Sequence, residues 1–293
     1  MLLTRLVDEC AWHLHTQGHI QFVASCRGHE AVQVGTALCI EVGKDFTLPY
    51  YRDLGVVLTI GMTPHEVLRT YLHLSLSPTE PCSAAQPPLL HWGYHKHNMV
   101  TGPAPVATQI LHAAGIAFAC KLRKTDAVTV AYCDDSATAE ADFLEGIRFA
   151  AQHQLPMIII CEQDCPANSL SSPSPLRQIS SLELPEGLTI QQVDGSDILA
   201  VYEAMSAAMA HARTGRGPLL LELFVTRSLP ASSSEKDYEQ QELDADPLLR
   251  CVEYMQRNGL WDEAWANQLQ ARLATEVASA LQDALRESFP DAS

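Results

Sequence analysis

The sequence predicts an α/β fold in which a mostly parallel sheet is flanked by helices, with a helical extension at the carboxyl end. Short, almost wholly apolar runs such as MIIIC (157–161) and LLLELFV (219–225) alternate with helical segments. Strands that are apolar throughout are typical of a parallel sheet covered on both faces. From Asp246 and Pro247 onward the pattern is helical.

The first half of the chain is mainly helical by pattern. Helices are predicted over residues 2–17, 30–41, from 64 to about 74, and about 106–121. Pro49 and the polar residues after it predict a turn over 46–55. Residues 75–105, rich in Ser, Pro and His, are predicted to be irregular.

Strands and helices alternate in the second half. Strands are predicted at 127–133, 157–161, 188–193 and 219–225, and helices at 138–153 and 196–212. The polar, Ser-rich stretch 228–245 predicts either a mobile functional loop or a solvated linker. We therefore expect an α/β domain over 1–227, a loop over 228–245 and a helical extension over 246–293.

Composition excludes several classes of function. The 293 residues are 47% hydrophobic, enough for a sizeable core, and 19 Lys and Arg against 35 Asp and Glu give a net charge of −16. That balance argues against nucleic acid or an anionic membrane as the main partner. Nine scattered cysteines, an odd number, favour a reducing cytoplasm over a disulfide scaffold. The sequence contains no apolar run of about 18 residues, so a membrane span is not expected.

Acidic residues follow two of the predicted strands. Asp135 follows the strand at 127–133, and Asp164 follows the strand at 157–161. If these parallel strands are neighbours, their ends lie about 5 Å apart. Mg²⁺ suits such carboxylates together with phosphate oxygens, and a helix beginning near Ala137 would direct free N–H groups to the same place. Acidic helix caps and turn residues remain the alternative.

Several blocks of the sequence are similar, in order and spacing, to one enzyme family. They are SCRGHEAVQVGTAL (25–38), LPYYRDLG (48–55), VTGPAPVATQI (100–110), GPLLLELFVTR (217–227) and DPLLRCVEYMQRNGLWDEAW (246–265). They resemble the alpha subunit of the thiamine-diphosphate-dependent first component of 2-oxo acid dehydrogenase complexes, most closely the branched-chain (2-oxoisovalerate) members. The resemblance implies a three-layer thiamine-diphosphate-binding fold, oxidative decarboxylation of a 2-oxo acid and transfer of the acyl group to a lipoyl group.

The same resemblance implies the residues of the site. Asp135, Asp164 and the main-chain carbonyl of Pro166 match the Mg²⁺ ligands. The positions matched to the thiamine diphosphate are Tyr51, Arg52 and Arg227 beside the diphosphate, Ser136 in the turn next to it, and Val106 as an apolar support. Thr108 and Gln109 match residues that hold a structural potassium ion in some members.

Four departures from the family pattern cluster at this site. Asp134 and Ser136 replace glycines, Asp164 replaces an asparagine, and Ala231 stands where the family has a catalytic histidine, so no catalytic residue is assigned. Side chains in place of glycine obstruct the approach of backbone N–H groups to a phosphate. A non-catalytic or impaired alpha-like subunit is therefore an alternative, as are pyruvate and acetoin dehydrogenase alpha subunits.

The resemblance also implies partners. The alpha chain supplies only the diphosphate half of the cofactor site, so a beta subunit in an α2β2 heterotetramer and a lipoyl-bearing acyltransferase are expected. The Ala-rich helix at 107–121 is either a subunit interface or an ordinary buried helix. His91, His95 and His97 mimic a zinc cluster without completing a tetrahedral set, and Cys161 and Cys165 lack the spacing of a redox pair.

Overall fold

The structure is a computed structural model that describes residues 1–76, 91–102, 105–165, 184–226 and 246–288. The helices are α1 (Leu2–Thr16), α2 (Glu30–Ala37), α3 (Leu54–Ile60), α4 (Pro64–Leu76), α5 (Thr108–Leu122), α6 (Ala141–Gln152), α7 (Ile198–Arg213), α8 (Pro247–Arg257) and α9 (Glu263–Ser288). The strands are β1 (Phe46–Leu48), β2 (Thr129–Asp134), β3 (Met157–Cys165), β4 (Thr189–Asp194) and β5 (Leu219–Thr226). Short 3₁₀ helices cover His95–His97 and Asp135–Ala139.

The strands of the described residues form one sheet in the order β1-β2-β3-β5-β4. Every pairing in it is parallel; Thr129 lies opposite Met157, and Ile158 lies opposite Leu219. The predicted parallel sheet is confirmed. Because β2 and β3 are neighbours in matched register, their carboxyl ends lie side by side.

Alternate residues of the three central strands, β2, β3 and β5, face two separate cores. Val130 and Tyr132 pack with α1, α2, α3, α4 and α7 on one face of the sheet. Ala131 and Cys133 pack with α5 and α6 on the other face. Successive side chains of a strand point to opposite faces, so an all-apolar strand needs cover on both sides. The result is the predicted three-layer arrangement.

Close packing fixes α2 against the sheet and α7. A Cβ atom added at Gly35 would lie 2.9 Å from Cγ1 of Val201 on α7. On the sheet side, the hydroxyl of Thr36 lies 3.0 Å from that of Tyr132. This packing holds the amino end of α2, where His29 is the N-cap residue, at the carboxyl end of the sheet.

Three local predictions are wrong. The strand predicted at 157–161 extends to Cys165, so Asp164 lies within β3 rather than after it. The turn predicted over 46–55 contains the edge strand β1, and helix α3 begins before it ends, at Leu54. The helix predicted from 138 onward is instead a 3₁₀ helix over Asp135–Ala139 followed by α6 from Ala141. A strand of three residues and a helix of seven carry too little periodicity to be recognised.

The helical pattern predicted for the carboxyl region is confirmed by α8 and α9. Asp246 caps α8, because its carboxylate accepts hydrogen bonds from the N–H groups of Leu248 (2.8 Å) and Leu249 (3.3 Å). Arg5 of α1 forms ion pairs with both Glu30 and Asp246, and its Nη1 lies 3.0 Å from Oδ2 of Asp246. Helix α9 packs against α4 and α1.

Of the helices described, none combines the length and the apolar character that crossing a membrane requires.

Candidate functional site

The candidate site lies where β2 and β3 end. We define the β2 end as residues 134–136 and the β3 end as residues 162–164. Asp134 is directly opposite Glu162 in the sheet register. Because these strands are parallel neighbours, four carboxylates converge on one edge: Asp134, Asp135, Glu162 and Asp164.

At the β2 end, hydroxyl groups meet the first carboxylate. Asp134 accepts a hydrogen bond from the hydroxyl of Tyr51 (3.2 Å) on one oxygen and from that of Ser136 (2.6 Å) on the other. Neither donor carries a charge, and among the described residues no cationic side chain forms an ion pair with Asp134. Within the described residues, the side chains that donate to Asp134 are therefore neutral ones.

Asp135 is half-buried beside this group. Burial raises the pKa of Asp135, and repulsion from the charges of Asp134 and Asp164 raises it further. The two predicted metal ligands, Asp135 and Asp164, are therefore close enough for their charges to interact. A divalent cation would relieve it, because carboxylate oxygens are the ligands that Mg²⁺ prefers.

At the β3 end, donors surround a fully buried acid. Oε2 of Glu162 accepts hydrogen bonds from Nδ1 of His29 (2.7 Å), the hydroxyl of Tyr50 (3.0 Å) and Nε2 of Gln33 (3.3 Å). The other ring nitrogen of His29, Nε2, lies 2.9 Å from Oδ1 of Asp164 in an ion-pair contact that lacks the alignment of a hydrogen bond. His29 thus bridges the two acids of the β3 end.

The charge state of His29 follows from this bridge. Burial by itself lowers the pKa of His29, but its contacts with Asp164 and Glu162 outweigh burial and raise the pKa to about 9. This shift favours the imidazolium form of the ring at neutral pH. The β3 end carries its own cation, unlike the β2 end.

Asp53 completes the buried network. One of its oxygens accepts a hydrogen bond from the N–H of Tyr50 (2.7 Å). Burial, followed by the nearby charge of Glu162, raises the pKa of Asp53 well above its usual range. Burial and the neighbouring Glu162 thus both disfavour the ionised form of the Asp53 carboxyl.

Arg52 supplies a second cation at this edge. Its guanidinium lies 5.6 Å from the ring centroid of Tyr51, and its Nη1 donates to the carbonyl of Ser25 (3.1 Å). Nε of Arg52 is buried and has no hydrogen-bond partner within the described chain. A buried N–H of a cation without an acceptor is costly, so the site suits an anionic oxygen. The residues at this edge therefore fit a phosphate group held with a cation.

The whole chain, residues 1–293, matches the family model described as "Dehydrogenase E1 component". The chain belongs to the dehydrogenase E1 component family. A relative named 2-oxoisovalerate dehydrogenase subunit alpha, from Bacillus subtilis, is 35% identical over 98% of this chain and 88% of its own length.

Two further relatives of this E1 chain are also named as alpha subunits. The 3-methyl-2-oxobutanoate dehydrogenase subunit alpha of Mycobacterium tuberculosis is 34% identical over 99% of this chain and 77% of its own length. The pyruvate dehydrogenase E1 component subunit alpha of Staphylococcus aureus is 30% identical over 97% of this chain and 76% of its own length.

The other predicted site residues of the E1 chain are only partly described. Val106 is 47% exposed in the turn before α5, so it is available for contact with a bound group. Thr108 donates to Asp142 (2.7 Å), and Gln109 donates to the carbonyl of Tyr132 (3.0 Å). The remaining predicted positions lie outside the described residues: Pro166, Arg227, Ala231 and the loop 228–245.

The histidines considered as a zinc cluster make local contacts instead. The ring Nδ1 atoms of His91 and His97 lie 2.9 and 2.8 Å from the carbonyls of Gly102 and Ile60. Over the described part of the chain, no three or more His, Cys, Asp or Glu side chains form a group suited to a metal ion. Neither the zinc alternative nor an all-side-chain metal cage is therefore supported. A site built from two carboxylates and a main-chain carbonyl is a different arrangement, with fewer side-chain ligands.

Sequence reasoning missed the network behind the metal ligands. His29, Gln33, Tyr50, Asp53 and Glu162 are all buried and surround the β3 end. One signal was present in the sequence: Glu162 is a charged residue that directly follows an apolar strand run, and such a residue requires partners when buried. Nothing local to residue 162 identifies those partners, because they come from two other segments, one at the start of α2 and one just after β1.

Proposed function

We propose that this E1 chain is the alpha subunit of a 2-oxo acid dehydrogenase of the branched-chain type, which oxidatively decarboxylates 2-oxoisovalerate. The relatives described above are all named as alpha subunits. The branched-chain relative is 35% identical and the pyruvate relative 30%, which favours the branched-chain substrate.

The observation that carries the cofactor proposal is the buried Nε of Arg52, which has no hydrogen-bond partner among the residues described and lies beside the converging carboxylates. We infer that Tyr51, Arg52 and, from the family pattern, Arg227 hold the diphosphate of thiamine diphosphate. Asp135, Asp164 and the main-chain carbonyl of Pro166 would hold Mg²⁺. When bound, thiamine diphosphate supplies the nucleophilic carbon that attacks the 2-oxo group.

The protein's own contribution is orientation and charge. The Ser25 carbonyl and the Tyr51 ring fix the guanidinium of Arg52, so its donor direction is set before any anion arrives. Preorganised donors of this kind need little rearrangement on binding. Asp135 supplies the carboxylate oxygen that a hard cation prefers. Val106 provides exposed apolar surface for the organic part of the cofactor.

The proposed assembly follows from the half-site. The residues assigned here recognise only the diphosphate end, so a beta subunit would complete the site in an α2β2 heterotetramer. A lipoyl-bearing acyltransferase would accept the acyl group. The cytoplasmic location expected from the cysteine usage belongs to the same proposal.

A second candidate function is that of a non-catalytic alpha-like subunit. The observation that favours it is the carboxylate of Asp134, which meets only hydroxyl donors in the described chain and therefore faces an incoming diphosphate with its charge. The sequence adds Ala231 at the position of the family's histidine. Such a chain would keep the fold and the subunit contacts but bind cofactor weakly.

Calorimetric titration of the co-purified α–β complex with thiamine diphosphate, with and without Mg²⁺, tests the proposal. We expect saturable binding that requires Mg²⁺, together with faster reduction of an artificial electron acceptor with 2-oxoisovalerate than with pyruvate. Binding without turnover would favour the non-catalytic candidate. The absence of binding at millimolar cofactor would contradict the cofactor proposal itself.

A further inference from the structure

Helix α9 is much longer than α4, the helix that packs along it. The 26 residues of α9 extend about 39 Å, whereas the 13 residues of α4 extend about 20 Å. Glu287, near the end of α9, lies 3.3 Å from Nε2 of His65 and 3.6 Å from Nη1 of Arg69, both in the first turns of α4. Along its axis, α4 can therefore cover only about half of α9.

The core residues of α9 all lie in its later half. Those that pack in the described core are Val277, Ala280, Leu281, Ala284 and Leu285. Residues 263–276 contribute no side chain to either core of the described chain. The first half of α9 is therefore a helix outside the core, and the shape of its surface is not explained by packing within the described residues.

One face of this first half is apolar at its centre and charged at both ends. Asp262, Trp265, Leu269 and Arg272 are separated by three, four and three residues, a spacing that places side chains on one face of a helix. Trp265 is 49% exposed, and Leu269 is partly buried. Asp262 and Arg272 are exposed, and neither forms an ion pair with a described residue. We call these four residues the α9 face.

The α9 face is complementary to itself when it is reversed. In an antiparallel pair of these helices centred on Asn267, Trp265 of one copy lies opposite Leu269 of the other, and Asp262 lies opposite Arg272. Two-fold symmetry makes each contact occur twice. In a parallel pair, Asp262 would lie beside Asp262 and Arg272 beside Arg272, and such like-charge contacts are unfavourable. The order of the residues therefore selects the antiparallel pair.

The charges of the α9 face also favour a second copy over other partners. The whole chain has a net charge of −16, yet this face carries one acid and one base. A partner surface of a single sign would pair only one of them, and an apolar surface would leave both charges without a partner. A second α9 face offers both signs at the matching positions.

We propose that the α9 face is a contact between two copies of this chain, in which Trp265–Leu269 packing is flanked by Asp262–Arg272 ion pairs. The inference does not depend on the substrate or cofactor proposed above. The face covers only about three helical turns, less than the surface of a typical stable interface. The contact therefore supports an assembly that contains two copies and is not expected to hold two free chains tightly.

Zero-length cross-linking of an Arg272→Lys variant tests this contact directly. Lysine keeps the positive charge and supplies an amine, which a carbodiimide joins to a carboxylate in contact with it. Within one helix, positions 262 and 272 are about 15 Å apart, so an amide between them must link two copies. We expect a covalent dimer on a denaturing gel, with the 262–272 link identified by mass spectrometry, in the α–β complex and more weakly in the concentrated chain alone.

Two controls accompany this experiment. Lys44 and Asp126 lie 2.7 Å apart within one chain, so their amide shows that the reagent is active. Arg148→Lys introduces an amine at another exposed arginine, on α6, and should give no link to Asp262. If the Lys44–Asp126 amide forms and the 262–272 amide forms in neither sample, the inference is overturned. A link from position 272 to the beta subunit instead would also overturn it.

A second pair of variants tests the apolar centre of the α9 face. Trp265→Ala, added to Arg272→Lys, should lower the yield of the 262–272 link at least about fivefold, because exposed tryptophans at the centre of a contact contribute much of its affinity. Trp12→Ala is the matched control, since Trp12 on α1 is 39% exposed, and should leave the yield unchanged. An unchanged yield with Trp265→Ala would overturn the proposed packing.

Discussion

The β2 end and the β3 end lie side by side and carry two acids each. The groups that contact these acids differ between the two ends. At the β3 end, Glu162 and Asp164 share the buried imidazolium of His29. At the β2 end, Asp134 receives hydroxyl donors and repels Asp135. A buried histidine thus joins the two acids of the β3 end, whereas within the described residues no cationic side chain forms an ion pair with Asp134 at the β2 end. Substitutions at the β3 end should therefore affect stability, and those at the β2 end should affect binding.

The largest effect is expected from Glu162→Ala at the β3 end. It leaves His29 and Tyr50 buried without their shared acceptor, and breaking a buried ion pair costs about 3 to 5 kcal/mol. We expect the urea midpoint of the cofactor-free complex to fall accordingly. Glu253→Ala removes the exposed pair with Arg257 and should cost less than about 1 kcal/mol. Similar small shifts for both variants would show that the buried pairing does not stabilise the β3 end.

Asp135→Ala at the β2 end should leave stability nearly unchanged and remove Mg²⁺-dependent binding of thiamine diphosphate. We expect a loss of about 100-fold or more in affinity, because residues that merely support a metal ligand already contribute about 10- to 100-fold. Calorimetry on the α–β complex measures it. Asp126→Asn, which alters an exposed acid paired with Lys44, is the charge-matched control. Unchanged affinity in Asp135→Ala would remove Asp135 from the metal site.

A smaller effect of opposite sign is expected from Asp134→Asn. It keeps the shape of the side chain and removes a charge that interacts with an anion about 4 Å away by roughly 1 kcal/mol in water and 4 kcal/mol near a protein surface. Because Asp134 is half-exposed, we expect tightening of about tenfold at most. Ser136→Ala, which changes no charge, should alter the Kd by less than about twofold. Weaker binding in Asp134→Asn would mean that Asp134 contributes a needed contact.

The sheet was predictable because its strands are apolar on both faces. The runs at 157–161 and 219–225 require cover from two layers, and that requirement fixes the α/β class without knowledge of any contact. The edge strand β1 has only three residues, which is too short for a hydrophobic pattern that would predict a strand. Its position depends on pairing with β2 across the sequence.

The metal ligands were predictable for a related reason. Asp135 follows β2 and Asp164 lies among the last residues of the neighbouring strand β3, and parallel strands bring their carboxyl ends together. The pairing of His29 with Glu162 was not predictable, because 133 positions separate them in the sequence. A histidine that precedes a helix can have many roles. Here the packing of α2 on the sheet brings His29 within hydrogen-bond distance of Glu162.

The ion pairs of Arg5 have a consequence for the order in which the molecule forms. Arg5 joins Glu30, the neighbour of His29, to Asp246, and 241 positions separate Arg5 from Asp246. During synthesis on the ribosome this clamp closes only after Asp246 has emerged, when most of the chain already exists. Contacts between distant segments form late because closing a long loop costs entropy before the contact stabilises it. The start of α2 is therefore expected to acquire its final rigidity among the last steps of folding.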